Sequence, residues 1–153
     1  MDSLHNQDVT LEALMPLIRE RLAAGQSVQF SPRGSSMLPM LRQGIDTVTL
    51  SPLPEKLKKF DIPLYQRSSG QYVLHRIVSV SDTITCIGDN QVDWETGLRR
   101  EQMIAVVTAF TRGTRKYTTG YLPYRIYCHF WHDTRPVRKI WRQCKSWLKR
   151  YLK

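Results

Sequence analysis

From Ser27 to Thr111 the sequence breaks into short alternating segments, and this pattern constrains the fold more than any other feature. Val28 and Phe30 alternate with polar residues until Ser31-Pro32-Arg33-Gly34 interrupts them. Segments rich in β-branched and aromatic residues follow at Thr47–Leu50, Ile62–Gln66, Tyr72–Val80, Thr83–Ile87 and Met103–Thr111. Such residues suit a pleated, half-buried surface, and Pro, Gly, Asp and Ser separate the segments. Six short strands within about 85 residues, mostly without helical period between them, predict antiparallel sheets rather than βαβ units. Ser68-Ser69-Gly70 and Ser81-Asp82 read as hairpin turns.

The period changes on both sides of this body. Leu11, Leu14, Met15, Ile18 and Leu22 recur at helical spacing, predicting a helix over Thr10–Ala24 that Asp8 or Thr10 caps and Gly25 ends. Pro16 falls inside it and is expected to kink the helix or move its start towards residue 15. Near the C-terminus, Val137, Ile140, Trp141, Cys144, Trp147, Leu148, Tyr151 and Leu152 share one helical face. Arg138, Lys139, Arg142, Lys145, Lys149, Arg150 and Lys153 cover the rest, and Pro136 suits the first turn. The chain therefore divides into a helical segment (1–27), a β domain (28–115) and a basic, aromatic, amphipathic segment (116–153), with a linker around Tyr117–Pro123.

Charge follows the same division. Residues 112–153 hold 12 Lys/Arg against the single acid Asp133, a balance of +11. The other 111 residues hold 11 Lys/Arg and 12 Asp/Glu, a balance of −1, so the net +10 belongs to the tail. No nucleic-acid recognition motif accompanies that charge, so nucleic acid is not the expected partner. Trp141 and Trp147 among Lys145, Lys149 and Arg150 suit the surface of an anionic membrane leaflet, the alternative being that the same face docks on the protein's own sheet.

Cys86, Cys128 and Cys144 are odd in number and lack C-x-x-C spacing, which argues against a disulfide framework or a zinc site and for a reduced, cytosolic setting. The longest apolar run, Met103–Phe110, is far short of the ~20 residues a transmembrane helix needs. The opening M-D-S-L-H-N-Q-D has no secretory pattern, so the expected location is cytoplasmic, peripheral on the inner face of the membrane at most.

Candidate chemistry centres on Gly34-Ser35-Ser36-Met37-Leu38-Pro39-Met40-Leu41. A tight turn here can expose a hydroxyl and gather backbone N–H groups into one small volume, as an oxyanion site requires. The plain alternative is a polar turn. A serine hydroxyl needs a base within reach. Of the four histidines, His5 sits near the terminus, and His129 and His132 lie among aromatics ahead of the basic helix. His75 lies in Tyr72–Val78, where alternation puts it on the face of Val73 and Ile77 and Arg76 on the other. A buried, satisfied histidine is the alternative there.

In order, G-x-S-M-x-P-x-L, L-H-R-I-V and Gly88-Asp89-Asn90 resemble the successive signature boxes of type I signal peptidases and, more distantly, of the LexA-like self-cleaving repressors. The resemblance covers about residues 28 to 110. It implies a mainly β fold of the signal-peptidase/LexA-like kind, flanked here by an N-terminal helix and a basic amphipathic C-terminal helix. It also implies a serine endopeptidase acting on a peptide or protein substrate, without metal or organic cofactor. Ser36 matches the family's nucleophile, and His75 stands where bacterial members commonly have a lysine, as in the histidine-base branch. Asp89 lies in the family's acidic box, with Asp93 and Glu95 as alternatives for orienting His75. Some members place a serine two positions before the nucleophile; here that residue is Gly34, which leaves the Ser36 N–H and a group from Ser35 for the oxyanion. The competing reading is a non-catalytic membrane- or partner-binding module on the same fold. A self-cleaving regulator fits less well, because residues 1–27 are too few for a DNA-binding domain.

Overall fold

The computed structural model describes residues 11–151, except for the side chains of Arg142, Gln143, Ser146 and residues 148–151. The capping candidates Asp8 and Thr10, together with His5, Leu152 and Lys153, lie outside the described residues. The chain forms helix α1 (Leu11–Ala23), then strands β1 (Val28–Phe30), β2 (Val48–Ser51), β3 (Pro63–Gln66), β4 (Tyr72–Leu74), β5 (Arg76–Val80), β6 (Ile84–Ile87) and β7 (Glu95–Leu98). A 3₁₀ turn at Arg100–Gln102 leads into β8 (Met103–Arg112) and β9 (Arg115–Thr118), and helices α2 (Leu122–Asp133) and α3 (Arg135–Tyr151) follow.

The strands make two antiparallel sheets, as the short alternating segments predict. The larger has the order β1-β2-β8-β3-β4, with β9 pairing the C-terminal half of β8; the smaller is β5-β6-β7. Both anticipated hairpin turns are present: the Arg67 N–H donates to the Gln71 carbonyl at 2.9 Å, and the Ser81 N–H to that of Thr83 at 3.0 Å.

Met15, Ile18 and Leu22 of α1 join one core cluster with Met37, Leu41, Val48, Leu50 and Leu64. A second cluster, including Tyr65, Ile77, Cys86 and Met103, lies between the sheets. Helix α1 runs through Pro16 rather than breaking there. Pro16 is exposed, so the Glu12 carbonyl that loses its helical N–H can meet water instead. The helix ends in a left-handed Gly25 (φ +72°), with the Gly25 N–H on the Leu22 carbonyl and the Gln26 N–H on that of Arg21.

Three parts of the sequence reading change. Tyr72–Val80 is two strands: the chain leaves one sheet at Leu74 and enters the other at Arg76, with His75 at the crossing. His75 and Arg76 are both 3% exposed and meet different partners, Tyr65 and Glu95 for His75 and Asp89, Tyr124 and Cys128 for Arg76. The linker expected around Tyr117–Pro123 is shorter, because strand and helix take up both of its ends. These are β9 and α2, and Tyr124 and Cys128 of α2 belong to the main core cluster. The apolar face of α3 does not fold back onto the sheet, since Val137, Ile140, Trp141 and Trp147 are all exposed.

Candidate active site

Ser36 lies in the turn that follows β1, where Gly34 adopts φ +88° and the Leu38 N–H closes on the Ser35 carbonyl at 3.2 Å. Beyond it, the fully buried Asp46 pins the return of the loop. It accepts from the Arg42 N–H and Nε (both 2.9 Å) and Nη2 (2.8 Å), and from the Gly113 N–H at 2.9 Å. The Arg42 side chain, outweighing burial, holds its carboxyl well below the usual range.

The three sequence boxes converge in space. The Asn90 N–H donates to the Ser36 carbonyl at 2.8 Å, and Asn90 Nδ2 donates to the Ser35 carbonyl at 3.1 Å. Gly88 lies so close that a Cβ there would stand 2.7 Å from the Ser36 carbonyl oxygen. Asp89 turns both carboxylate oxygens to Arg76, at 2.8 Å from Nε and 2.7 Å from Nη2. The remaining Arg76 N–H groups donate to Tyr124 Oη (2.7 Å), Cys128 Sγ (3.0 Å) and Met40 Sδ (2.9 Å). A charge this deeply buried is tolerable only with such a complete set of partners. The 88–91 loop is also clamped from behind: Trp131 Nε1 donates to the Asp89 carbonyl (3.0 Å), and Arg135 Nη2 to those of Gly88 (2.9 Å) and Gln91 (3.0 Å).

His75 meets a different acid. Tyr65 Oη donates to Glu95 Oε2 at 2.7 Å and lies 3.2 Å from His75 Nδ1. The phenol has one proton, and the carboxylate takes it, so the Tyr65 oxygen must accept from Nδ1–H. That hydrogen-bond logic assigns the tautomer and leaves Nε2 as the basic nitrogen. Arg67 grips Glu95 with two 2.7 Å bonds, from Nε to Oε1 and from Nη2 to Oε2. Burial raises the Glu95 carboxyl, but Arg67 and Tyr65 outweigh it and hold the group below its ordinary value.

Burial lowers the His75 imidazole from 6.5 to about 4, against an opposing pull from Glu95, so it is neutral near pH 7. The 3.7 Å contact between Nδ1 and Glu95 Oε2 is then no salt bridge in the resting protein.

Ser36 and His75 line the same cleft, of about 570 Å³, with Ser35, Arg67, Gln71 and Asn90; Leu14, Phe30, Met37 and Leu74 give it an apolar wall. Among the described residues, neither the Ser36 hydroxyl nor its N–H has a hydrogen-bond partner, and the hydroxyl makes no direct bond to His75. Of the three acids, Asp89 is committed to Arg76, Asp93 is exposed, and Glu95 is the one beside His75. The sequence reading missed Tyr65 and Arg67. A tyrosine in an apolar strand is itself a signal, because a buried phenol must find a partner.

Among the described residues, no group of three His, Cys, Asp or Glu could hold a metal ion, and no helix is long and apolar enough to cross a membrane. Cys86 and Cys128 are buried and Cys144 is exposed, all as free thiols. Comparison with family models, curated proteins and solved structures returned no match.

Proposed function

We propose that the chain is a serine endopeptidase of the signal-peptidase-like kind, with Ser36 as nucleophile and His75 as general base. The observation that carries this reading is the shared cleft, in which the Tyr65–Glu95 pair commits His75 Nδ1–H and leaves Nε2 basic. Ser36 Oγ attacks the peptide carbonyl while His75 Nε2 takes the hydroxyl proton. The imidazolium forms beside Glu95, whose charge favours it, and then protonates the leaving amine. Water, deprotonated by His75, releases the acyl group and restores Ser36. The Ser36 N–H is the nearest candidate donor for the oxyanion, with Ser35 beside it.

An extended peptide suits the cleft. It lies between residues that end β1 (Phe30) and residues of β4 (Tyr72–Leu74), and each of these strands pairs on one side only within its sheet. Unpaired strand edges can bind a substrate backbone through main-chain hydrogen bonds. Asp89 is here a positioning residue that acts through Arg76 and the 88–91 loop, while Tyr65 and Glu95 position the base.

A second reading, a peptide-binding module without catalysis, draws on one observation: Ser36 and His75 share the cleft without a direct hydrogen bond. Apo sites often tighten only with substrate bound. Covalent labelling by a fluorophosphonate separates the two. Wild type should label, and Ser36→Ala and His75→Ala should lose labelling by at least about 100-fold. Equal reaction of all three proteins would leave only the binding module.

A further inference from the structure

Helices α2 and α3 carry a second surface that the peptidase reading leaves unused. While α2 buries Tyr124 and Cys128, its Leu122, Ile126 and Phe130 point outward and are 65%, 61% and 64% exposed. In α3, Val137, Ile140, Trp141 and Trp147 are equally open, at 67%, 61%, 65% and 58%. The two helices meet end to end. The Thr134 N–H donates to the Phe130 carbonyl at 3.0 Å and the Arg138 N–H to the Thr134 carbonyl at 3.1 Å, both at the four-residue spacing that carries helical register across a junction. At ~100° per residue, the outward apolar positions of both helices then fall within one arc about 120° wide. Arg125 and Lys145 flank that arc, and Arg135, Arg138 and Lys139 occupy the opposite side; the α3 sequence contains no acid.

We propose that this continuous stripe is a docking face for an anionic lipid bilayer, with both helices lying in the interface. The stripe therefore begins at Leu122, well before the C-terminal helix that the sequence pattern singles out. Charge complementarity selects this occupant. A second copy would bring two segments of +11 together. Nucleic acid would use the cations but leave the tryptophan, isoleucine and phenylalanine side chains in water. An anionic leaflet satisfies both halves, with apolar groups at the acyl boundary and cations among the headgroups. The proposal stands independently of catalysis.

The test is sedimentation of the full chain with vesicles of phosphatidylglycerol and phosphatidylcholine in equal parts, against phosphatidylcholine alone. Partitioning should be at least about tenfold stronger on the anionic vesicles and should weaken as salt is raised. Ile126→Ser with Phe130→Ser should weaken it by about tenfold or more. Lys145→Gln should weaken it by about fivefold. The replaced residues are exposed, so circular dichroism should match wild type. Equal binding to both vesicle types, or no effect of the α2 substitutions, would overturn the proposal. So would retention of duplex DNA in place of vesicles, or a stable dimer that the same α2 substitutions dissociate.

Discussion

Adding one methyl group at position 88 should do more damage to the serine loop than its size implies. In Gly88→Ala the new Cβ would stand 2.7 Å from the Ser36 carbonyl oxygen, where ordinary van der Waals contact begins at 3.4 Å. It would also stand 3.0 Å from Gln91 Oε1. The glutamine side chain can swing away, but the carbonyl is backbone and accepts the Asn90 N–H at 2.8 Å. The Ser36 peptide must therefore move by about 0.7 Å, or the 88–91 loop must retreat from it. The backbone conformation at Gly88 is not left-handed, so contact alone decides the outcome. Such overpacking costs about 2 kcal/mol, or a fall of about 4–8 °C in Tm for a domain of this size. Displacing a nucleophile by 1 Å can cost about 100-fold in rate, so fluorophosphonate labelling should slow by about 10- to 100-fold. Gly120→Ala is the control, because a Cβ there meets nothing within 4 Å. It should change stability by less than about 0.5 kcal/mol and leave labelling untouched. Wild-type labelling in Gly88→Ala would refute the claim that this loop sets the position of Ser36, whatever happened to Tm.

The buried groups set further outcomes. Asp89→Ala strips the 3% exposed Arg76 of its counter-charge and should lower the free energy of urea unfolding by about 3–5 kcal/mol; a loss under about 1 kcal/mol would mean that the pair does not hold the boxes together. Because His75 titrates at about 4 in the fold against about 6.5 when unfolded, its contribution to stability is present above pH 6.5 and is lost as pH falls towards 4. The same shift should keep the labelling rate flat down to about pH 5, with an acid limb near 4. Tyr65→Phe should lower the plateau by about 100-fold yet leave the limb well below 6.5, because burial is the larger cause. A wild-type limb at 6.5, or an unchanged plateau in the variant, would contradict this account of the base.

The strands were legible because their residues announce a half-buried surface: β1, β2, β3, β6 and β8 match alternating segments within a residue or two. Strands β7 and β9 were not. Glu95-Thr96-Gly97-Leu98 carries a glycine at φ +74°, and Arg115–Thr118 is polar and mostly exposed; pairing with β6 and β8, rather than propensity, makes them strands. Helix α2 escaped notice because Tyr124, Tyr127, Phe130 and Trp131 lack the one-sided pattern of a surface helix, having apolar groups on both a buried and an outward face. In the site, the resemblance of the ordered boxes singled out Ser36 and His75, and the fold brings both to one cleft. Glu95 was one of three acids offered as a partner for His75, but the sequence pattern favoured Asp89 over it. Glu95, bonded to Tyr65 and 3.7 Å from His75 Nδ1, comes from a strand whose place in the smaller sheet depends on long-range pairing.

The crossing at His75 ties chemistry to architecture. The imidazole occupies the single residue between the last strand of the six-stranded sheet and the first of the three-stranded one. Ser36 follows an edge strand of the large sheet, and the loop that carries its carbonyl partner leaves the small one. Neither sheet by itself carries both Ser36 and His75. A slide of one sheet over the other would therefore register first as a change in reach between hydroxyl and imidazole, making that gap a ruler of how the two halves are seated.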